Sequence, residues 1–255
     1  MYKNFFYVMK LDHVILASND NPDYLNFWPL VSEAWTQMGV DPILIYTGKS
    51  KNNLQGNVFH YDSKNLNSAF VAQNIRILYP ALLNNKNCIV SDIDLLPLSK
   101  KYFLDSIENI PDNSFIIYRP DSGVPENMIS MMWNAANSST WKEIFNIESE
   151  KEIHKKLKKW YSRKYSLRGK AWYTDQIQLR KNLDNFSIKN SERVIKLNDT
   201  INGFNRFNRT KLEEHFEAMN KKDVIFSDFH MPRPYEEYEE LILEVYNSQK
   251  KYLSE

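Results

Sequence analysis

Two aspartates one residue apart close an apolar run, Asn87-Cys88-Ile89-Val90-Ser91-Asp92-Ile93-Asp94-Leu95-Leu96-Pro97. A short apolar run bounded by turn residues reads as a buried strand, which puts Asp92 and Asp94 at its carboxyl end, where open α/β sheets bind ligands. In extended chain both side chains point to one side with Ile93 turned away, which suits two hard oxygen donors on one divalent cation. The bland alternative is a strand that ends in a solvated acidic turn. Three further segments carry usable chemistry: Arg76 in Asn74-Ile75-Arg76-Ile77-Leu78-Tyr79-Pro80, Asp175 and Gln176 in Trp172-Tyr173-Thr174-Asp175-Gln176, and His230 and Arg233 in Phe229-His230-Met231-Pro232-Arg233-Pro234. Asp228, just before His230, adds a carboxylate to that last group.

Elements must place these residues. His13 to Ala17 is a short apolar run breaking into Ser18-Asn19-Asp20-Asn21-Pro22, which reads as strand, ligand-facing loop and helix cap. Tyr24 to Met38 has helical spacing, with Gly39 where a C-terminal cap belongs. Pro42 to Tyr46 reads as a second strand, Asn67 to Leu83 as a helix, Cys88 to Val90 as the aspartate strand and Ser114 to Tyr118 as another. The repeated βαβ order predicts an α/β fold with a Rossmann-related, mostly parallel mixed sheet flanked by helices. Glu148 to Trp160 predicts a lysine-rich amphipathic helix with Ile153, Leu157 and Trp160 as its apolar stripe, its charged face being either a solvated face or a patch for an acidic acceptor or for peripheral membrane contact, and Tyr235 to Tyr252 a closing helix. The chain is read as a single domain over 1–255, with halves at 1–120 and 121–255.

Composition narrows the function. A chain of 255 residues with 42% hydrophobic content can build a real core. With 33 basic and 32 acidic side chains there is no global field to gather nucleic acid, so none is expected as a partner. The single Cys88 excludes an intrachain disulfide and any multi-cysteine metal site, which fits a reducing cytoplasm. Phe5 to Met9 is too short for a secretory core, and no stretch approaches a membrane span. With six glycines and no Gly-rich phosphate loop, phosphates would be held by metal and side chains.

Taken together, these segments resemble metal-dependent GT-A glycosyltransferases, most closely the retaining type of the lipopolysaccharide galactosyltransferases and glycogenin. The resemblance implies a divalent-metal-dependent transfer from a nucleotide-diphosphate sugar, a UDP-sugar above all, to a glycan or other hydroxyl acceptor in surface polysaccharide synthesis. It implies a nucleotide-binding half at 1–120 and an acceptor half at 121–255 with a C-terminal metal-binding loop, with Mn²⁺ or Mg²⁺ on Asp92, Asp94 and His230 and Ala17, Ser18, Asn19, Asp20 and Asn21 on the base and ribose. Asp92 and Arg233 would meet the donor, Arg76 would pair with a strand aspartate or the donor, and Asp175 and Gln176 would face the sugar. A C-terminal glycine-and-lysine loop is replaced here by Met231 to Pro234, leaving Arg233 to act for the lysine. Asp20 and Asn21 also suit a plain helix cap. Trp133, Asn134 and Trp172 suit either an acceptor platform or the core. Asp175 suits an inverting base, Gln176 with the donor phosphate a retaining path. Two other classes share these features: a phosphohydrolase with Asp92 as nucleophile, and a non-catalytic nucleotide- or carbohydrate-binding domain.

Overall fold

The computed structural model describes residues 7–50, 54–221 and 224–255. Among the described residues ten strands run in chain order: β1 His13–Ser18, β2 Asp41–Tyr46, β3 Asn57–His60, β4 Asn87–Val90, β5 Leu95–Pro97, β6 Phe115–Ile117, β7 Asn134–Asn137, β8 Val194–Lys196, β9 Asn205–Asn208 and β10 Phe226–His230. Seven of them form one sheet in the order β3-β2-β1-β4-β7-β6-β8. β1 to β4 are parallel, β7 runs against both β4 and β6, and β8 runs with β6. This is the expected mostly parallel mixed α/β sheet, and the carboxyl ends of β1 and β4 share one edge.

Alternation along the strands divides the core. Val14, Leu16, Leu44, Ile89 and Ile116 pack on one face with Trp35 and Trp133, while Ile15, Ile43, Ile45, Val90 and Phe115 pack on the other with Phe70 and Trp141. β4 pairs with β7 and β6 with β8, so the sheet crosses the expected division at residue 120.

Two long helices of the sequence reading are broken by proline. The Tyr24 to Met38 segment forms Pro22–Leu25 and Trp28–Gln37, because Pro29 fits only in a first turn. The Asn67 to Leu83 segment forms Ser68–Ile75, and a 3₁₀ turn follows at Tyr79–Leu82. There Pro80 has no N–H for the Arg76 carbonyl, so the helix stops with Arg76 at its C-terminal cap. Gly39 takes φ +80° after Met38, as a terminating glycine does. The lysine-rich helix runs Glu150–Trp160 and the closing helix Tyr235–Gln249. Phe5 and Phe6 of the N-terminal apolar run lie outside the described residues.

A second sheet, β5-β10-β9, was not expected from sequence. β5 follows the aspartates at once and pairs antiparallel with β10, setting His230 opposite Leu95. The C-terminal half is thereby stitched beside Asp94. No helix among the described residues is long and apolar enough to cross a membrane.

Candidate active site

A cleft opens at the carboxyl ends of β1 and β4. Ala17, Ser18, Asn19, Asn21, Arg76, Asp92 and Asp94 line it together, with Tyr24, Gln73, Leu167 and Trp172 completing the wall. The loop after β1 is built locally. Asn21 caps helix Pro22–Leu25 by accepting from the Asp23 amide at 3.1 Å, and the Asn19 side-chain oxygen Oδ1 accepts from the Asn21 amide at 3.1 Å. Asp20 is turned out of the cleft. Its carboxylate accepts from the Lys49 amide at 2.7 Å and the Ser50 amide at 3.2 Å, and from the hydroxyls of Ser50 and Tyr46. Those hydroxyl donors, Ser50 foremost, lower its pKa to about 2. Asp20 therefore ties down the loop after β2, and the side chains left for a base or ribose are those of Ser18, Asn19 and Asn21.

Arg76 is the hub of one half of the cleft. Its guanidinium, 6% exposed, pairs with Asp92, donates to Asp175 at 2.7 Å and to the Ser91 carbonyl at 3.3 Å. Burial opposes its charge, but the two carboxylates overcome that and raise its pKa. Asp175 is 1% exposed, with one oxygen on Arg76 and the other accepting from the Gln176 amide at 2.9 Å. Burial pushes its carboxyl up further than Arg76 draws it down. Asp175 thus holds Arg76 in place from behind. Gln176, half-buried beside it, keeps a buried side-chain oxygen with no hydrogen-bond partner among the described residues.

Asp94 is the hub of the other half. The extended geometry expected for the aspartate pair gives way to a turn, closed by the Leu95 amide donating to the Asp92 carbonyl at 3.3 Å. The two carboxylates line the same cleft and take different partners. Asp94 lies 3.5 Å from His230 Nε2, 3.1 Å from Arg209 Nη1 and 3.7 Å from Arg233 Nε. Burial works against its charge, yet His230, Arg233 and Arg209 together hold the carboxyl well below the usual range. Arg233 also stacks its guanidinium over the Tyr24 ring, 4.8 Å from the centroid. Arg209 escaped the sequence reading. It follows β9 and is fixed by donating to the Met231 carbonyl at 3.0 Å. Alternation in Asn205 to Asn208 hints at a strand, but nothing local ties Arg209 to a carboxylate 115 residues away.

Of the three expected metal ligands, the structure brings two together. Asp94 and His230 meet, whereas Asp92 faces Arg76, and among the described residues no three His, Cys, Asp or Glu side chains are grouped to hold an ion. The pair still suits a hard divalent cation, since an anionic carboxylate oxygen and an imidazole nitrogen are the donors that Mn²⁺ and Mg²⁺ accept. Trp133 and Asn134 are both 0% exposed, and Trp133 packs edge-on against Trp35 and Phe103, so both belong to the core and not to an acceptor platform. Trp172 does face the cleft, stacked on Tyr165.

No protein-family model matches the chain, and no curated protein does. Solved structures similar in fold are glycosyltransferases. A galactosyltransferase, LgtC, in complex with donor and acceptor sugar analogs, aligns at TM-score 0.44 and 14% identity over 87% of this chain and 87% of that one. The bifunctional glycosyltransferase WbbM aligns at TM-score 0.48 and 11% identity over 94% of this chain and 52% of that one. A mutant of Drosophila β1,4-galactosyltransferase 7, in complex with manganese, UDP-Gal and xylobiose, aligns at TM-score 0.38 and 14% identity over 73% of this chain and 64% of that one. What the cleft can do is decided by its own residues.

Proposed function

We propose that this chain is a divalent-metal-dependent glycosyltransferase that moves a sugar from a UDP-sugar to a hydroxyl acceptor with retention. The observation that carries the reading is one cleft lined by the β1 loop, Arg76, Asp92 and Asp94, in which Asp175 backs Arg76 and His230, Arg209 and Arg233 surround Asp94. Three carboxylates there face three guanidiniums, so the protein's own charges balance. A diphosphate would then bring its own counter-charge, which favours entry with a divalent cation on Asp94 and His230. Such an ion supplies Lewis-acid stabilisation of the leaving group when bound. Arg209 and Arg233 lie on the same side and would take non-bridging phosphate oxygens through their forked donors. Ser18, Asn19 and Asn21 would hold base and ribose.

Arg76 keeps Asp92 aimed at the donor, and Gln176, whose buried side-chain oxygen has no partner among the described residues, would turn outward to meet a sugar hydroxyl or the anomeric face. Asp175 is closed to solvent and engaged by Arg76, so it is poorly placed to take a proton from an incoming acceptor; that favours retention over inversion. The same engagement of Asp92 by Arg76 disfavours a phosphohydrolase with Asp92 as nucleophile. Calorimetric titration of UDP with Mn²⁺, with chelator, and into the Asp94→Asn and His230→Ala variants tests the proposal. Binding that requires the metal and both side chains is expected, followed by slow UDP-sugar hydrolysis. Equal or absent binding in all conditions would sink it. Binding without turnover of any UDP-sugar would leave a non-catalytic nucleotide-binding domain.

A further inference from the structure

The net charge of +1 conceals a separation of charge along the chain. Residues 150–172 hold nine Lys and Arg against Glu150 and Glu152, a local +7, while the rest of the chain, with 24 basic and 30 acidic side chains, holds −6. Helix Glu150–Trp160 buries Ile153 and Leu157 completely, and 3.6-residue periodicity puts Lys151, Lys155, Lys158 and Lys159 on the opposite, exposed face. Arg163, Lys164, Arg168 and Lys170 continue the exposed series. None of these eight makes a salt bridge with a described carboxylate, unlike Arg76, Arg119, Arg206 and Arg209 elsewhere in the fold. Self-repulsion among so many unpaired cations is a standing cost that an external anionic surface would relieve.

Apolar side chains follow them in the chain, and Lys159 shares a shallow pocket with Gln178, the neighbour of Ile177. Leu167, Tyr173 and Ile177 are 47%, 48% and 37% exposed, and Tyr173 and Ile177 stand one turn apart at the start of helix Thr174–Asn190. Cations that meet lipid head groups, next to aliphatic and aromatic side chains that reach the acyl boundary, are the two ingredients of interfacial binding. A nucleic acid would engage the cations but gives Leu167 and Ile177 nothing to stack on. We infer that residues 150–177 form a docking surface for a bilayer containing anionic lipid. Leu167 and Trp172 also line the cleft, so docking sets its mouth at the membrane interface. A lipid-borne acceptor would suit that placement; this last step rests on the sugar-transfer reading, and the docking does not.

Sedimentation of the full chain with phosphatidylcholine vesicles, with and without phosphatidylglycerol, tests the inference. Binding is expected only to the anionic vesicles, and is expected to be lost at molar salt. Each cation near such a surface is worth about fivefold in partitioning, so the Lys155→Gln/Lys158→Gln/Lys159→Gln variant should partition on the order of a hundredfold more weakly. Circular dichroism of that variant checks that it is folded. Ile177→Ser should weaken vesicle binding without altering retention on heparin. Failure to bind either vesicle, or equal binding by parent and triple variant, overturns the inference. Tighter binding to heparin than to anionic vesicles, unchanged by Ile177→Ser, also overturns it and assigns the surface to a soluble polyanion.

Discussion

Replacing Arg76 by Met removes the cation between two carboxylates that sit in very different surroundings. The Asp92 side chain is 35% exposed and can turn to water, so its loss of partner costs little. The Asp175 side chain is 2% exposed, and without Arg76 it is left as an uncompensated buried charge. Breaking a buried pair in this way costs about 3–5 kcal/mol, and at about 2–4 °C per kcal/mol for a chain of this size the melting temperature should fall by roughly 6–20 °C. The loss depends on pH. Burial already raises the Asp175 carboxyl above its free value, so the folded state binds more protons than the unfolded one. Stability from that group is full below the unfolded value of about 3.9 and is lost as pH rises through the folded value. Removing Arg76 raises the folded value further, so the deficit of the variant should be small in acid, where the carboxyl is protonated in both proteins, and should grow as pH rises. Thermal and urea unfolding followed by circular dichroism measure it, and the Arg76→Met/Asp175→Asn double variant should recover most of the loss. A deficit below about 1 kcal/mol, or one independent of pH and untouched by Asp175→Asn, would refute the assignment of Asp175 as the buried anchor of Arg76.

Asp228→Asn should destabilise by a similar order, about 3–5 kcal/mol, because Asp228 is fully buried with Arg119 at 3.0 Å and Arg206 at 2.6 Å. Burial pulls the Asp228 carboxyl up, but the two guanidiniums outweigh it and hold it well below the usual range. Its contribution is therefore present above the ordinary carboxylate pKa and lost as pH falls, and a comparison of acid unfolding should find that loss blunted in the variant. Trp133→Ala should cost about 3–5 kcal/mol in urea unfolding and leave the calorimetric affinity for UDP unchanged, as a core residue and not a sugar platform requires.

Local pattern was enough for the elements that carry their own signal. Asn87 to Val90 is apolar and bounded by turn residues, the β1 loop ends in Asn21 and Pro22, and Gly39 closes a helix; each depends on neighbours within a few residues, so one sequence exposes it. The same holds for the co-location of Arg76 with Asp92, since a helix feeding a strand brings them together over a short stretch of chain. What lies in long-range pairing was hidden. The turn at Asp92 to Leu95 leads into β5, which pairs with β10 over 130 residues later, and that pairing delivers His230 and Arg209 to Asp94. Burial decided the rest. Trp133 and Trp172 are the same residue type with equal claims in sequence, and only packing puts one against Trp35 and Phe103 and the other in the cleft. Sequence determined which side chains were available for phosphate, metal and sugar. The tertiary structure decided which of them meet, because the free energy of a buried ion pair depends on partners and exposure that no local spacing encodes.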